Sequence, residues 1–261
     1  ENLMPTFAAN LSFLFNELPF LDRFEAAAKA GFKAVEFLFP YEYGAEEIAL
    51  RLRQHQLQNV LFNLPPGDWA AGERGIAILA GREQEFADGV AKAIHYAQAL
   101  ACPRLHALAG IAPAGSDKQA LRKIYISNLK YAANELAKHN LKLMIEPINN
   151  RDMPGYFLNT QADAFAICQE VGAPNINMQM DIYHMQIMGE DLEANIRRYL
   201  PHVGHVQIAN APGRHEPDDG TINYPQLFEL LDELKYQGWI GCEYKPKTTT
   251  LEGLGWFEKY R

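Results

Sequence analysis

The strongest constraint on what this chain can fold into is an alternation. Eight short apolar runs recur along it: Phe7–Leu11, Ala34–Phe39, Asn59–Leu64, Arg104–Ala109, Leu141–Ile145, Ile176–Met180, Val203–Ile208 and Trp239–Tyr244. Each is rich in Val, Ile, Leu, Phe or Met, and short, near-continuous apolar runs mark strands buried on both faces. Between them apolar residues return at helical spacing, as in Leu21, Phe24, Ala27 and Ala28, in Ile94, Ala97 and Leu100, in Ile126, Leu129, Ala133 and Leu136, and in Leu227, Leu230, Leu231 and Leu234. Asn159-Thr160, Ser116-Asp117 and Asn223 offer side-chain oxygens where helices should begin. Gly31, Gly172 and Gly238 stand where helices should stop.

Strands alternating with helices build a parallel sheet. Eight such units use up the 261 residues, which suits a closed (β/α)8 TIM barrel, an α/β fold, better than an open doubly wound sheet. No G-x-G-x-x-G motif follows the first run, which weakens the dinucleotide-binding alternative. The expected domain is single, residues 4–261, with Met4 as a native start and residues 1–3 as a cloning remnant. Composition removes whole classes of function. With 48% apolar residues the chain can bury a core, and it has no apolar run near the ~20 residues that span a bilayer. Lys and Arg number 24 against 32 Asp and Glu, a formal charge of −8 that argues against a nucleic-acid partner. Cys102, Cys168 and Cys242 form no C-x-x-C pair, and no charged-then-apolar leader opens the chain. These features predict free thiols in a cytoplasmic protein, compatible with a homo-oligomer.

In a parallel barrel, chemistry gathers at the carboxyl ends of the strands. The fifth run ends at Glu146, the sixth continues to Asp181 with His184 three residues on, the seventh carries Gln207 and the eighth carries Glu243. Four consecutive strands thus deliver one oxygen-bearing side chain each to one rim. Three crowded carboxylates raise one another's pKa, and a divalent cation relieves the repulsion. An all-oxygen set favours Mg²⁺ or Mn²⁺, with Co²⁺ and Zn²⁺ left open. Asn63 and His106 either face the same pocket or make structural hydrogen bonds. Glu36 is a buried structural acid or a pocket residue. His205 reads as a core histidine. Arg214, in the loop after the seventh run, offers a bidentate fork for a carboxylate, and Lys245 either binds an anion or offsets acidic charge. The Gly- and Pro-rich segments 65–81, 111–115 and 211–220 sit where a barrel places its active-site loops.

Two glutamates flanking a metal, with a cationic grip, suit proton transfer next to a carbonyl, as in aldose–ketose isomerisation or sugar epimerisation. Several longer stretches then resemble one family. They are Phe7-Ala-Ala-Asn-Leu-Ser12, Val35-Glu-Phe-Leu-Phe-Pro40, Asn63-Leu-Pro-Pro-Gly-Asp-Trp-Ala-Ala-Gly-Glu-Arg-Gly75, Glu146-Pro-Ile-Asn-Asn-Arg-Asp-Met-Pro-Gly-Tyr-Phe157, Asp181-Ile-Tyr-His-Met-Gln186 and Gly241-Cys-Glu-Tyr-Lys-Pro246. Together they resemble the hydroxypyruvate isomerase family, within the wider xylose-isomerase-like barrels that include ketose 3-epimerases and the endonuclease IV type. The resemblance implies an acid/base pair of Glu146 and Glu243, a metal set of Glu146, Asp181, Gln207 and Glu243, and substrate contacts from His184 and Arg214. Related epimerases carry a histidine where Gln207 stands and a glutamate where Asp152 stands. The implied small-molecule substrate is a keto or hydroxy acid: hydroxypyruvate, giving tartronate semialdehyde, or its four-carbon analogue 2-oxotetronate. Rival readings are a ketose 3-epimerase, a phosphodiesterase of the endonuclease IV type, which needs several more histidines, and a non-catalytic barrel that binds a sugar acid.

Overall fold

The computed structural model describes residues 5–261, so the expectation about residues 1–3 and a start at Met4 lies outside the described residues. Eight parallel strands close into a barrel in chain order: β1 (Thr6–Asn10), β2 (Ala34–Glu36), β3 (Gln58–Asn63), β4 (Arg104–His106), β5 (Lys142–Ile145), β6 (Ile176–Asp181), β7 (Val203–Ile208) and β8 (Trp239–Cys242). The last seam joins β1 to β8, with Phe7 opposite Ile240 and Ala9 opposite Cys242. Every apolar run overlaps a strand, and three of them outlast it by two or three residues. Phe37–Phe39, Ala107–Ala109 and Glu243–Tyr244 leave the ladder at the carboxyl end, where the backbone turns into the loops that form the site. Register shifts between Val35 and Glu36 on β2 and between Met178 and Gln179 on β6 change which side chains face the axis.

The outer layer comprises α1 (Arg23–Lys29), α2 (Ala45–Gln54), α3 (Glu83–Leu100), α4 (Lys118–Ala137), α5 (Gln161–Val171), α6 (Ile182–Ile187), α7 (Leu192–Tyr199) and α8 (Tyr224–Glu233). The caps form as the sequence predicts. Asp117, Thr160 and Asn223 accept from the backbone N–H of Gln119 (2.9 Å), Asp163 (3.2 Å) and Gln226 (3.3 Å). Gly172 closes α5 in the left-handed conformation, φ 70°. Gly238 does not stop α8. That helix ends at Glu233, and Lys235 makes the left-handed turn with φ 61°. Gly238 instead admits the Tyr236 ring, whose hydroxyl a Cβ there would meet at 2.5 Å.

Two details depart from eight uniform strand–helix units. Two helices, α6 and α7, lie between β6 and β7, and the segment after β8, Leu251–Tyr260, is a 3-10 helix. Gly253 lies within that segment, where a Cβ would sit 1.9 Å from Glu216 Oε2, so the tight approach dictates its composition. The main core fills the space between strands and helices. Phe7 joins it to the C-terminal segment through edge contacts with Phe228 (5.2 Å) and Trp256 (5.1 Å). Inside the barrel, Ala8, Ala34, Val60, Leu61 and Met144 form a small apolar cluster. Cys102, Cys168 and Cys242 are free and buried. Among the described residues no helix is long and apolar enough to cross a membrane.

Candidate active site

At the carboxyl end of the barrel the polar strand ends converge. Glu146 follows β5, Asp181 ends β6, Gln207 lies on β7 and Glu243 follows β8. One donor atom from each of Glu146, Asp181, His184 and Glu243 lies within 4.8 Å of the others, and all four residues are buried. The three carboxylates are unequally supported. Glu243 is well held: Oε2 accepts from Asn10 Nδ2 (3.1 Å) and Gln207 Nε2 (2.9 Å), and Oε1 from Arg214 Nη2 (3.0 Å). Among the described residues Glu146 Oε2 and Asp181 Oδ2 have no hydrogen-bond partner. Buried carboxylate oxygens rarely go unpaired, so these two are open to a proton or a positive partner.

Electrostatics agrees. Burial, reinforced by Glu243 and Asp181, raises the pKa of Glu146 well above the ordinary carboxylate range. Burial likewise pushes Glu243 up to about 8 and Asp181 up to about 6, in both cases against the pull of Arg214. A divalent cation would offset this crowding, and hard oxygen donors suit it. Gln207 reaches the cluster through its amide. Its Nε2 donates to Glu243 and its Oε1 accepts from Gln179 Nε2 at 2.7 Å, so the amide turns an N–H to the cluster. The buried group can therefore hold a metal ion.

His184 takes a defined tautomer. Asn149 Oδ1 accepts from the backbone of Arg151 (3.1 Å) and Asp152 (2.7 Å), which turns Asn149 Nδ2 toward His184 Nδ1 at 2.8 Å. Nδ1 is then an acceptor, and Nε2, 3.7 Å from Asp181 Oδ2, carries the proton. Burial keeps the ring neutral by driving its pKa well below the usual value. An N–H aimed at the cluster suits a substrate oxygen better than a cation.

Arg214 is held tightly. Its guanidinium lies over the rings of Phe13 (5.1 Å) and Tyr183 (5.0 Å), bonds Glu243 and stands 3.9 Å from Asp152. Burial disfavours its charge, but the surrounding carboxylates outweigh that and raise its pKa. Among the described residues its Nε has no partner. Asp152 is in turn fixed by a 2.7 Å hydrogen bond from the Tyr183 hydroxyl. His106 Nδ1 lies 3.2 Å from Asn63 Oδ1, and burial lowers its pKa to about 3, so it is a neutral partner.

Asn63, His106, Glu146, Asp152, His184, Gln207, Arg214 and Glu243 all line one cavity of about 160 Å³, with Asp181 in the adjoining cluster. Lys245 is not brought there. Its side chain is exposed, and its backbone ties to the neighbouring loop, with its N–H donating to Arg214 O at 2.7 Å and its carbonyl 2.8 Å from His215 Nδ1. Sequence reasoning missed Asn10, Phe13 and Gln179, which also line the cavity. Asn10 was findable, as the polar end of an otherwise apolar first strand. Trp69, from the segment after β3, adds a wall, with its ring against Phe39 (5.1 Å) and under the Arg74 guanidinium (3.7 Å).

The chain matches the xylose isomerase-like TIM barrel family over residues 24–260. It is 54% identical to a 2-oxo-tetronate isomerase of Cupriavidus necator over 98% of this chain and 99% of the relative. It is 49% identical to the hydroxypyruvate isomerase of Escherichia coli, over 99% of this chain and all of the relative. A crystal structure described as an AP endonuclease, family 2, from Brucella melitensis superposes with a TM-score of 0.97 at 54% identity, covering 99% of this chain and 100% of that one. A 3-keto-D-glucoside 4-epimerase of E. coli, 19% identical over 98% of this chain and 100% of its own, shares the fold with a TM-score of 0.80.

Proposed function

The chain belongs to the xylose isomerase-like TIM barrel family, and from that premise we propose that it isomerises a short 2-keto acid by moving the carbonyl one carbon along. The first substrate is hydroxypyruvate, converted to tartronate semialdehyde. The second reading, 2-oxotetronate to 3-oxotetronate, is favoured by the 54% identity to a protein named for that activity. The observation that carries the proposal is the pair of buried glutamates, Glu146 and Glu243, sharing one cluster beside a partly unpaired arginine.

Both acids offer a carboxylate at C1, a ketone at C2 and a hydroxyl at C3. Arg214, which lines the cavity, offers its guanidinium to the carboxylate, and its stacking on Phe13 and Tyr183 fixes the plane of the fork. One glutamate, as carboxylate, removes the proton from C3, leaving an enediolate. The other, held protonated by burial and by its neighbour's charge, returns a proton to C2, while the proton of the C3 hydroxyl passes to the C2 oxygen, so that C3 becomes the carbonyl and C2 the carbinol. The His184 Nε2–H donates to a substrate oxygen as charge develops there. Glu146, Asp181 and Glu243 would hold a divalent ion, Mg²⁺ or Mn²⁺, which when bound would polarise the substrate oxygens and offset the acidic charge, with Gln207 orienting Glu243 through its amide N–H. Leu108, Ile148 and Trp69 supply apolar walls to the same cavity.

The size of the cavity agrees. At about 160 Å³ it falls well below the ~300–1,000 Å³ of sites for drug-sized ligands and suits three or four carbons. The Brucella protein is described as an AP endonuclease. The cavity lining carries two histidines, His106 and His184, fewer than that chemistry uses, and the net charge of −8 disfavours a phosphate backbone. The three free, buried thiols suit the reducing cytoplasm.

The test is a substrate panel in which purified protein with Mg²⁺ or Mn²⁺ is offered hydroxypyruvate, 2-oxotetronate and fructose. Turnover of one or both keto acids is expected. Rapid turnover of fructose with neither keto acid touched would remove the carboxylate grip from the account.

A further inference from the structure

One buried acid is left unexplained by this chemistry. Glu36, the last residue of β2, is 1% exposed and lines the floor of the cavity beneath the carboxylate cluster. A fourth carboxylate under three others is electrostatically unfavourable, and an apolar side chain would serve packing alone. Its surroundings show what it does. Glu36 reaches past β1 to β8, where its Oε1 would sit 1.4 Å from a Cβ on Gly241, so a glycine there makes room for the carboxylate. Its Oε2 accepts from Gln207 Nε2 at 2.7 Å, and His205 Nε2 lies 3.4 Å away.

Gln207 has two N–H hydrogens, and each has one acceptor: Glu36 Oε2 at 2.7 Å and Glu243 Oε2 at 2.9 Å. The amide oxygen accepts from Gln179 Nε2 at 2.7 Å. Glu36 is therefore the fixed end of a chain that runs through Gln207 to Glu243. Without its carboxylate one buried N–H loses its acceptor and the Gln207 amide is free to turn over, so Glu243 loses a defined partner.

We infer that Glu36 is a positioning residue, acting through the Gln207 amide to set Glu243 and the ion-holding group above it. The inference rests on the isomerase reading for its kinetic consequence, but not for its consequence for ion binding. The test compares wild type with Glu36→Met, which keeps volume and removes the acceptor, and Glu36→Gln, which keeps one acceptor oxygen for Gln207. Gly241→Ala is a further variant that displaces the carboxylate without deleting it. For each, thermal melting, kcat and KM on whichever keto acid wild type turns over, and Mn²⁺ affinity by electron paramagnetic resonance titration are measured.

Glu36→Met and Gly241→Ala are expected to lower kcat and Mn²⁺ affinity by ~10–100-fold, the usual range for groups that orient metal ligands, with KM changed only a few-fold. Glu36→Gln should recover most of the loss. In a Gln207→Leu background Glu36→Met should cost nothing further, because the link it acts through is already cut. Wild-type kcat and Mn²⁺ affinity in Glu36→Met would overturn the inference, as would a lowered melting temperature with both quantities intact. So would losses that add in full to those of Gln207→Leu. If wild type turns over neither keto acid, the isomerase reading fails while the Mn²⁺ titration still decides the role of Glu36.

Discussion

At the scale of single residues, the site depends on how each carboxylate is partnered. Glu243 has three N–H donors, whereas Glu146 and Asp181 each keep a bare oxygen among the described residues. Arg214 links this acidic group to the substrate's charge. Arg214→Lys keeps the charge but loses the fork and the stacking on Phe13 and Tyr183. A lost charge-assisted hydrogen bond is worth about 1.5–3 kcal/mol, so KM for the keto acid is expected to rise ~10–100-fold in steady-state kinetics. An unchanged KM would place the carboxylate elsewhere. Much of this was legible in the sequence, because an apolar strand that ends in Glu or Asp breaks its own pattern, as Glu146, Asp181 and Glu243 do. Asn10 obeyed the same rule and went unread. What sequence could not show is the network beneath. The direction of the Asn149 amide, the tautomer of His184 and the reach of Glu36 to Gly241 arise from residues far apart in the chain. The exposed position of Lys245 also depends on how the backbone turns after β8.

At the scale of elements, the strands were the most legible part, since a strand buried on both faces writes itself as an apolar run. Helix starts were legible where a capping oxygen directly precedes the helical pattern, as at Thr160, Asp117 and Asn223. Loops were not. Segment 65–81 reads as Gly- and Pro-rich, but its role depends on contacts such as that of Gly75, where φ is 102° and a Cβ would sit 2.4 Å from Leu108 O. Gly72 has a similar φ of 96° with nothing within 4 Å. Gly75→Ala is therefore expected to cost about 1–3 kcal/mol in denaturant unfolding and to shift Trp69 from the cavity wall. Gly72→Ala should cost less, and equal losses would show that backbone strain alone sets the effect. Thr160→Ala, which removes the cap of α5, should cost about 1 kcal/mol without changing turnover.

At the scale of the whole molecule, the acidic cluster couples stability to pH and to metal. Unfolded carboxyls titrate near pH 4, whereas burial raises Asp181 to about 6 and Glu243 to about 8 in the fold. Between those limits the folded state binds more protons than the unfolded one. Stability of the ion-free protein should therefore fall as pH rises from ~4 to ~8. A divalent ion binds the deprotonated carboxylates and opposes this fall, so its stabilising effect should be larger at pH 8 than at pH 5. At a hundredfold excess over Kd it is worth about 2.7 kcal/mol, on the order of 5–10 °C in Tm for a chain of this size. Differential scanning calorimetry with Mg²⁺ or Mn²⁺ and after chelation measures it, and a shift independent of pH would contradict the cluster as the binding site.

The central claim is that Glu146 and Glu243 together carry the proton between neighbouring carbons. It is tested most directly by nuclear magnetic resonance time courses of keto-acid conversion by wild type, Glu146→Gln and Glu243→Gln, each shown by its melting curve to be folded. The account predicts conversion by wild type and a loss of at least ~10²–10⁴-fold in each variant, the range for removing a general acid or base. Near-normal conversion by either variant would contradict it.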